Sequence, residues 1–209
     1  MKAYPSITTK IDFSKRFYLF DKLDGSNIRA EWSPKKGFYK FGSRTQLLTP
    51  DQTTLYPAIE KINALVGSTG IELSSKLSKF GAESAVCFFE WVGPNSFAGS
   101  HVDNIADMRP VLIDVALYKK GMMSPERFIE HFSDFDIPAI LHQGKISEDI
   151  FQSIRRSELP GITFEGVIGK ESGCGKDGKH DMCKIKTNAW LDKLKTFCGG
   201  NQELYNRLK

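Results

Sequence analysis

The chain has no long hydrophobic run. Nothing in its 209 residues approaches the roughly 18–20 apolar residues that a membrane-spanning helix requires, so no transmembrane helix is expected. The opening Met1-Lys2-Ala3-Tyr4-Pro5 carries no apolar core of the signal-peptide kind. Cysteine is scarce and scattered, at four residues. That excludes a short secreted disulfide framework and points to a reduced, cytoplasmic setting. Glycine (18) and proline (9) are not in excess, so no long disordered segment is implied. Neither sign of charge dominates: the net +4 permits an anionic partner without demanding one. Apolar mass is plentiful. Hydrophobic residues make up 40% of the chain and include 15 Phe, enough for a core and consistent with one domain over 1–209.

Strand and helix signals alternate without repeats. Aromatic and β-branched stretches predict strands at 17–21 and 28–32 around a turn and at 37–42, together an antiparallel meander. Leu55, Ile59, Ile62, Leu65 and Val66 recur at helical spacing and predict a helix over 55–67. Buried strands are expected at 84–92 and 110–118, and Ser124-Pro125-Glu126 opens a helix over 124–132. A short strand at 138–142, a helix at 147–156, strands at 162–170 and 182–187 and a helical tail broken at Gly199-Gly200 complete the reading. Residues 171–181 are a polar, Gly-rich hairpin loop. Mixed helices and antiparallel hairpins argue an α+β fold.

The chemistry-bearing residues are spread along this pattern. Lys22-Leu23-Asp24-Gly25-Ser26-Asn27 places a lysine at the end of a strand entering a tight turn. A protonated lysine is a poor nucleophile, and desolvation or neighbouring cations make it a better one. Lys184 and Lys186 lie two apart in a strand and so project from the same side. Such a pair would lower the pKa of a nearby lysine and neutralise a phosphate. Glu90 and Glu165 interrupt apolar strands, where an acid needs a cation, a metal or a hydroxyl as partner. Arg44 follows a strand and adds a candidate phosphate or ribose contact. Taken singly, each is ordinary: a surface turn, an edge-strand acid, a solvated strand face.

Their order is what carries information. Lys22-x-Asp24-Gly25, Arg44, Phe89-Glu90, Glu165-Gly166-Val167-Ile168-Gly169-Lys170 and Lys184-x-Lys186 resemble the motifs of the covalent nucleotidyltransferase superfamily, which includes DNA ligases, RNA ligases and mRNA capping enzymes. The resemblance covers residues 18–187. It implies a nucleotidyltransferase (ATP-grasp-like DNA/RNA ligase adenylation) domain with antiparallel sheets flanked by helices. It also implies ATP and Mg2+ (or Mn2+) as cofactors and a lysyl-AMP intermediate at Lys22. Asp24, Gly25, Asn27, Arg44, Glu90, Ile113, Lys170, Lys184 and Lys186 would then bind the nucleotide, and Glu165 the divalent ion. The family usually has an aromatic residue before an acid in the strand between the two Glu motifs. Here the pair is Ile113-Asp114, which implies apolar contact with the base and no ring stacking.

Asn27, where DNA ligases and capping enzymes typically carry arginine, resembles the RNA ligase 2-like branch. Only 23 residues follow Lys186, so no C-terminal OB-fold is expected within 1–209. The resemblance therefore implies an ATP-dependent RNA ligase joining 5′-phosphate and 3′-hydroxyl ends. Its partners would be nucleic acid, RNA first with DNA or a hybrid as alternatives, and ATP, with no membrane. Small ligases of this size are often phage or viral. The alternatives are a minimal nick-sealing DNA ligase, a non-catalytic nucleic-acid-binding module, or a nucleotidyltransferase acting on a protein or small molecule. Residues 173–180 nearly match a phosphate-binding loop, but His180 stands where a magnesium-binding hydroxyl is needed. Cys174, His180, Cys183 and Cys198 lack the spacing of a standard zinc site.

Overall fold

The computed structural model describes residues 1–173 and 180–209. The expected hairpin loop at 171–181, the near match to a phosphate-binding loop and the candidate ligand Cys174 fall wholly or partly outside them. In chain order the elements begin with β1 (Arg16–Lys22), β2 (Ser26–Ser33), β3 (Gly37–Gly42), α1 (Ala58–Asn63) and α2 (Leu73–Ser78). Then come β4 (Ala85–Val92), β5 (Arg109–Leu117), β6 (Gly121–Met122) and α3 (Pro125–Phe132). Next are β7 (Ile140–Lys145), α4 (Glu148–Arg155), β8 (Gly166–Glu171), β9 (Met182–Lys186), α5 (Asn188–Cys198) and α6 (Gln202–Leu208). Mixed helices and antiparallel sheets bear out the α+β expectation.

The chain forms two compact units. One comprises Ile7–Asp24, Pro138–Ser172 and Asp181–Lys209. Its sheet has four antiparallel strands in the order β7-β1-β8-β9. Directly opposed residues share a face, and faces alternate along each strand. Phe17 and Leu19 of β1, Val167 of β8 and Cys183 and Ile185 of β9 point to one side, where Ile154 of α4 and Ile146 join them in a buried core. Truncating Leu19, fully buried there, to alanine would cost about 2–5 kcal/mol. The opposite face carries Lys22 level with Gly166 and Lys186, Phe20 level with Ile168 and Lys184, and Tyr18 level with Lys170. One face of this sheet is therefore a core, and four lysines stand on the other.

The other unit is built mainly from Met1–Ser6 and Gly25–Ile137. Its five antiparallel strands run in the order β3-β2-β4-β5-β6. Ile28, Ala30 and Trp32 of β2 oppose Phe89, Cys87 and Ala85 of β4, all within 2% of complete burial. The reverse face pairs Asn27 with Glu90, Arg29 with Phe88 and Glu31 with Val86. The pairing of β4 with β5 slips after Phe88, which faces Asp114, so that Phe89 faces Leu112 and Ile113 is the extra, bulged residue.

Three expectations are corrected. β1 does not form a meander with β2 and β3; it pairs with β7 and β8, while β2 pairs with β3 and β4. The sequence marks strands and turns but not which strands pair across long separations. The helix expected over 55–67 is regular only over Ala58–Asn63. Before it, residues 52–57 close successive turns, and after it Leu65 and Val66 pair with Leu73 and Glu72. The strand expected over 162–170 begins at Gly166, because the Thr163 N–H and hydroxyl donate to Asp21 and the Phe164 carbonyl accepts from the Thr187 hydroxyl, both side chains of neighbouring segments. α2 carries too few apolar residues to have been read from periodicity.

Gly166 fixes the close approach of β8 to β9. Its φ is 147°, and an added Cβ would lie 2.0 Å from the Ile185 carbonyl oxygen and 2.8 Å from the Lys186 Cα. Both obstacles are backbone and cannot swing aside. Gly166→Ala is expected to lower the stability of the folded protein by roughly 3–5 kcal/mol, read as a drop in the urea midpoint at unchanged slope.

Candidate active site

A buried carboxylate organises the four-stranded unit. Glu165 is 4% exposed and precedes β8 by one residue. Its Oε2 accepts from the Lys22 ammonium at 2.8 Å and its Oε1 from the Lys186 ammonium at 2.9 Å. Lys22 ends β1 and Lys186 ends β9, and Gly166 lies between them in β8. One negative charge is thus shared by two positive ones, with the half-buried Lys184 adding a third. Burial pushes the Lys186 ammonium down to about 8. Glu165 opposes that shift, and Lys22 and Lys184 reinforce it.

Several side chains hold this arrangement in place. Trp190, on the first turn of α5, lies 3.4 Å from the Lys186 nitrogen by its ring centroid, a cation–π contact. The indole N–H of Trp190 donates to Asp24 Oδ2 at 2.6 Å, so the acid of the Lys-x-Asp-Gly turn is tied to α5. Thr187 is fully buried, and three of its hydrogen bonds hold this region together. Its hydroxyl donates to the Phe164 carbonyl at 2.7 Å and accepts from the Trp190 N–H at 3.1 Å, capping α5, while its own N–H donates to the Glu165 carbonyl at 3.0 Å. Asp21 accepts from the Thr163 N–H at 3.0 Å and the Thr163 hydroxyl at 2.8 Å. Its pKa is raised, chiefly by burial. Asp21 and Thr187 fix residues 163–165 and so aim Glu165, while Trp190 ties Thr187, Asp24 and Lys186 together.

These three were not among the candidates from sequence. Asp21 had the signal that marked Glu90 and Glu165, an acid inside an apolar strand. Thr187 stands three residues before Trp190, a capping interval that could have been read. Lys170 is also buried, at 3% exposure, with its ammonium 4.6 Å from the Phe20 ring centroid.

The five-stranded unit holds the remaining candidates. The Gly25 N–H donates to Glu90 Oε1 at 3.1 Å. A Cβ at Gly25 would lie 2.4 Å from the Trp91 carbonyl oxygen, so this contact requires glycine. Asn27, opposite Glu90, donates from its amide to the Phe89 carbonyl at 3.4 Å, and its buried Oδ1 accepts no hydrogen bond from the described residues. Ile113 is half-buried at the β5 bulge, and Arg44 is exposed in the bend after β3. Asp114 is fully buried and accepts from the Tyr4 hydroxyl at 2.5 Å. His101 lies 2.8 Å from both the Ser26 and Ser96 hydroxyls, and burial lowers its pKa.

Among the described residues, no three His, Cys, Asp or Glu side chains are grouped to hold a metal ion. Cys183 and Cys198 are buried free thiols, and burial pushes Cys183 up to about 11. A single carboxylate such as Glu165 suits a magnesium-type ion that keeps most of its waters and shares phosphate oxygens. It does not suit an ion caged by protein.

Comparison with protein-family models gives no match, and comparison with curated proteins gives no significant one. Among solved structures the chain resembles Naegleria gruberi RNA ligase. A mutant of that enzyme with ATP and Mn superposes with a TM-score of 0.62 at 15% identity, over 92% of this chain and 58% of that one. A second mutant, with AMP and Mn, gives 0.59 at 14% identity over 92% and 58%, and the enzyme with PPi gives 0.59 at 17% over 87% and 52%. The chain therefore spans little more than half the length of the structures it matches. At these identities the likeness establishes the fold, an RNA-ligase-type nucleotidyltransferase fold.

The charge on Lys186 makes stability depend on pH. The unfolded chain keeps this proton up to the ordinary value of 10.5, and the folded chain releases it near 8. Below 8 both states are charged and the full cost of burying the ammonium is present. Between 8 and 10.5 the unfolded state binds more protons, so stability rises with pH. Relative to Lys186→Met, the wild-type protein is expected to gain roughly 1–3 kcal/mol between about pH 7.5 and 10. Paired urea titrations check this, and a constant difference across the range would contradict it.

Proposed function

We propose that the protein is an ATP-dependent RNA ligase that works through a lysyl-AMP intermediate at Lys22. The observation that carries the reading is the Lys22–Glu165–Lys186 bridge, with both ammonium groups within 2.9 Å of one carboxylate. It joins a candidate nucleophile, a proton acceptor and a phosphate-neutralising cation in a single cluster. The likeness to an RNA ligase fold solved with ATP, AMP, PPi and Mn supports it.

In this reading the Lys22 nitrogen attacks the α-phosphorus of ATP. A nitrogen–phosphorus bond forms, the bond to the pyrophosphate oxygen breaks, and pyrophosphate leaves with its electron pair. Glu165 Oε2, 2.8 Å from the Lys22 nitrogen, is positioned to take the proton. Lys184 and Lys186 stabilise the charge that grows on the phosphoryl oxygens. Glu90 and Asn27 hold the nucleoside, Gly25 permits the turn, and Asp24 keeps it oriented through Trp190. Arg44 and Lys170 contribute positive charge toward phosphate, and Ile113 meets the base by apolar contact. A divalent ion, Mg2+ or Mn2+, would be held by Glu165 together with phosphate and water, and would supply further charge neutralisation. The AMP then passes to a 5′-phosphate end, and a 3′-hydroxyl displaces it to seal the strand. Chemistry of this kind needs mainly positioning and charge, which is what the cluster provides.

Intact-mass measurement after incubation with ATP and Mg2+ tests the proposal. The expected result is a gain of one AMP in the wild-type protein and none in Lys22→Ala. Lys186→Met should slow adduct formation by about 10²–10³-fold, the scale for loss of one charge-stabilising group. Joining of 5′-phosphorylated RNA strands faster than DNA strands would support the RNA assignment. A GMP adduct, or none with any donor, would overturn it.

A further inference from the structure

β2 turns into β3 through Ser33-Pro34-Lys35-Lys36-Gly37. The Lys36 N–H donates to the Ser33 carbonyl at 3.2 Å, Pro34 takes the second position of the turn, and Gly37, at φ 64°, takes the left-handed one. The turn leaves Lys35 and Lys36 exposed. Just beyond it β3 carries a bulge. Trp32 pairs with Phe38 and Glu31 with Lys40, so Tyr39 is the extra residue. A bulge re-aims a side chain. Here it lets Tyr39 reach back to β2, where Glu31 Oε1 accepts from its hydroxyl at 2.6 Å.

The Tyr39 ring is therefore held in place at the surface. Its hydroxyl is fixed by Glu31, and the Lys36 ammonium stands 4.9 Å from its centroid, yet the residue is 40% exposed. An aromatic ring ordered in this way gains little apolar burial from the protein and is suited to a flat partner from outside. Lys35, Lys36 and the half-buried Lys40 bring three positive charges to the hairpin against the negative charge of Glu31. Glu31 belongs to the sheet face that also carries Asn27 and Glu90. It lies about 13 Å along β2 from Asn27 at the usual strand rise. Between them Tyr4 packs on Phe88 and the Lys2 carbonyl accepts from Arg29, so residues 1–6 cover the middle of this face and Tyr39 stands at its exposed end.

We propose that the β2–β3 hairpin is a docking platform for a single-stranded nucleic acid segment. A base stacks on the Tyr39 ring, and Lys35, Lys36 and Lys40 meet the neighbouring phosphates. The ring is already oriented, so little freedom is lost when a base lands on it. Every base has an aromatic face, so the platform holds a strand without reading its sequence. The choice of nucleic acid as occupant rests on the nucleotidyl-transfer reading, in which a strand has to be held while its end is activated.

Fluorescence anisotropy of the full chain tests it, with a labelled, mixed-sequence single-stranded RNA of about twelve nucleotides and its DNA counterpart as probes. Tyr39→Ala should weaken binding of both by about 5–100-fold, the scale of one lost stack, and Tyr39→Phe, which keeps the ring, should restore most of that loss. Replacing Lys35 and Lys36 with alanine should lower the slope of log Kd against log salt by about 0.7 for each lysine. The platform is overturned if neither oligonucleotide binds, if Tyr39→Ala binds as tightly as the wild type, or if the lysine variant keeps the full salt slope. A loss confined to RNA would replace stacking by readout of the 2′-hydroxyl and overturn it as well. The AMP adduct is measured in parallel and should form equally in every variant. An adduct with oligonucleotide binding insensitive to Tyr39 removes the platform and leaves nucleotidyl transfer standing. Binding that depends on Tyr39, without any adduct in the wild type, does the reverse.

Discussion

A carboxylate buried between two ammonium groups is the constraint on which the four-stranded unit depends. Glu165 is almost wholly removed from water, and such a charge is tolerated only when it is paired and its oxygens are satisfied. Both oxygens are taken, one by Lys22 and one by Lys186. That requirement propagates outward. The lysines must end the two strands that flank β8, at the same level, so β8 must leave room between them, and Gly166 does so. The segment before Gly166 must be held off the strand ladder, and Asp21 and Thr187 do that. The arrangement is asymmetric in charge, with more cation than anion, and the burial of Lys186 is what lowers its proton affinity. A site built in this way is short of negative charge and complementary to a phosphate.

Both sheets use the alternation of strand faces to separate stability from chemistry. In the four-stranded sheet the Phe17 and Leu19 side builds the core and the Lys22 side carries the cations. In the five-stranded sheet the Ile28 and Trp32 side is buried and the Asn27 and Glu90 side is polar. Because the period is two residues, a one-residue slip in any of these strands would place lysines in a core and phenylalanines in a site. The ladder breaks this regularity at three register shifts, between β1 and β7 after Leu19, between β2 and β3 after Glu31, and at the β5 bulge. The last of these sets Ile113 out of step with its neighbours on the strand that also carries Asp114.

Much of this was legible in the chain itself. Strand positions and the helix starts at Ser124 and Ser147 come directly from local signals, namely alternation, capping hydroxyls and a first-turn proline. The break at Gly199-Gly200 was equally local. The candidate site residues were found by their order and by the oddity of acids in apolar strands. Sequence did not give the partnership of β1 with β7 and β8, because pairing across more than a hundred residues leaves no local trace. Nor did it give the roles of Asp21, Thr187 and Trp190. Their contribution lies in hydrogen bonds to segments distant in sequence, and a threonine or tryptophan reads the same whether it supports a site or fills space. The bulge at Ile113 was illegible for a related reason: it is a mismatch between two strands and belongs to neither.

The three tryptophans differ in what their indoles touch. Trp32 donates to the Ser74 hydroxyl and Trp91 to the Thr54 carbonyl. Trp190 donates to Asp24 and has the Lys186 ammonium against its ring. All three are almost fully shielded from solvent, so solvent exposure does not distinguish their emission in the folded state. The Lys61 ammonium also stands over the Trp91 ring, 5.7 Å from its centroid. Trp190, however, combines an ammonium at 3.4 Å with a carboxylate accepting from its indole N–H, and the two together set the electric field across its ring. Its excited state is therefore a built-in voltmeter for the cluster. A change in the charge or position of Lys186 is written into the colour and intensity of its fluorescence, without any label.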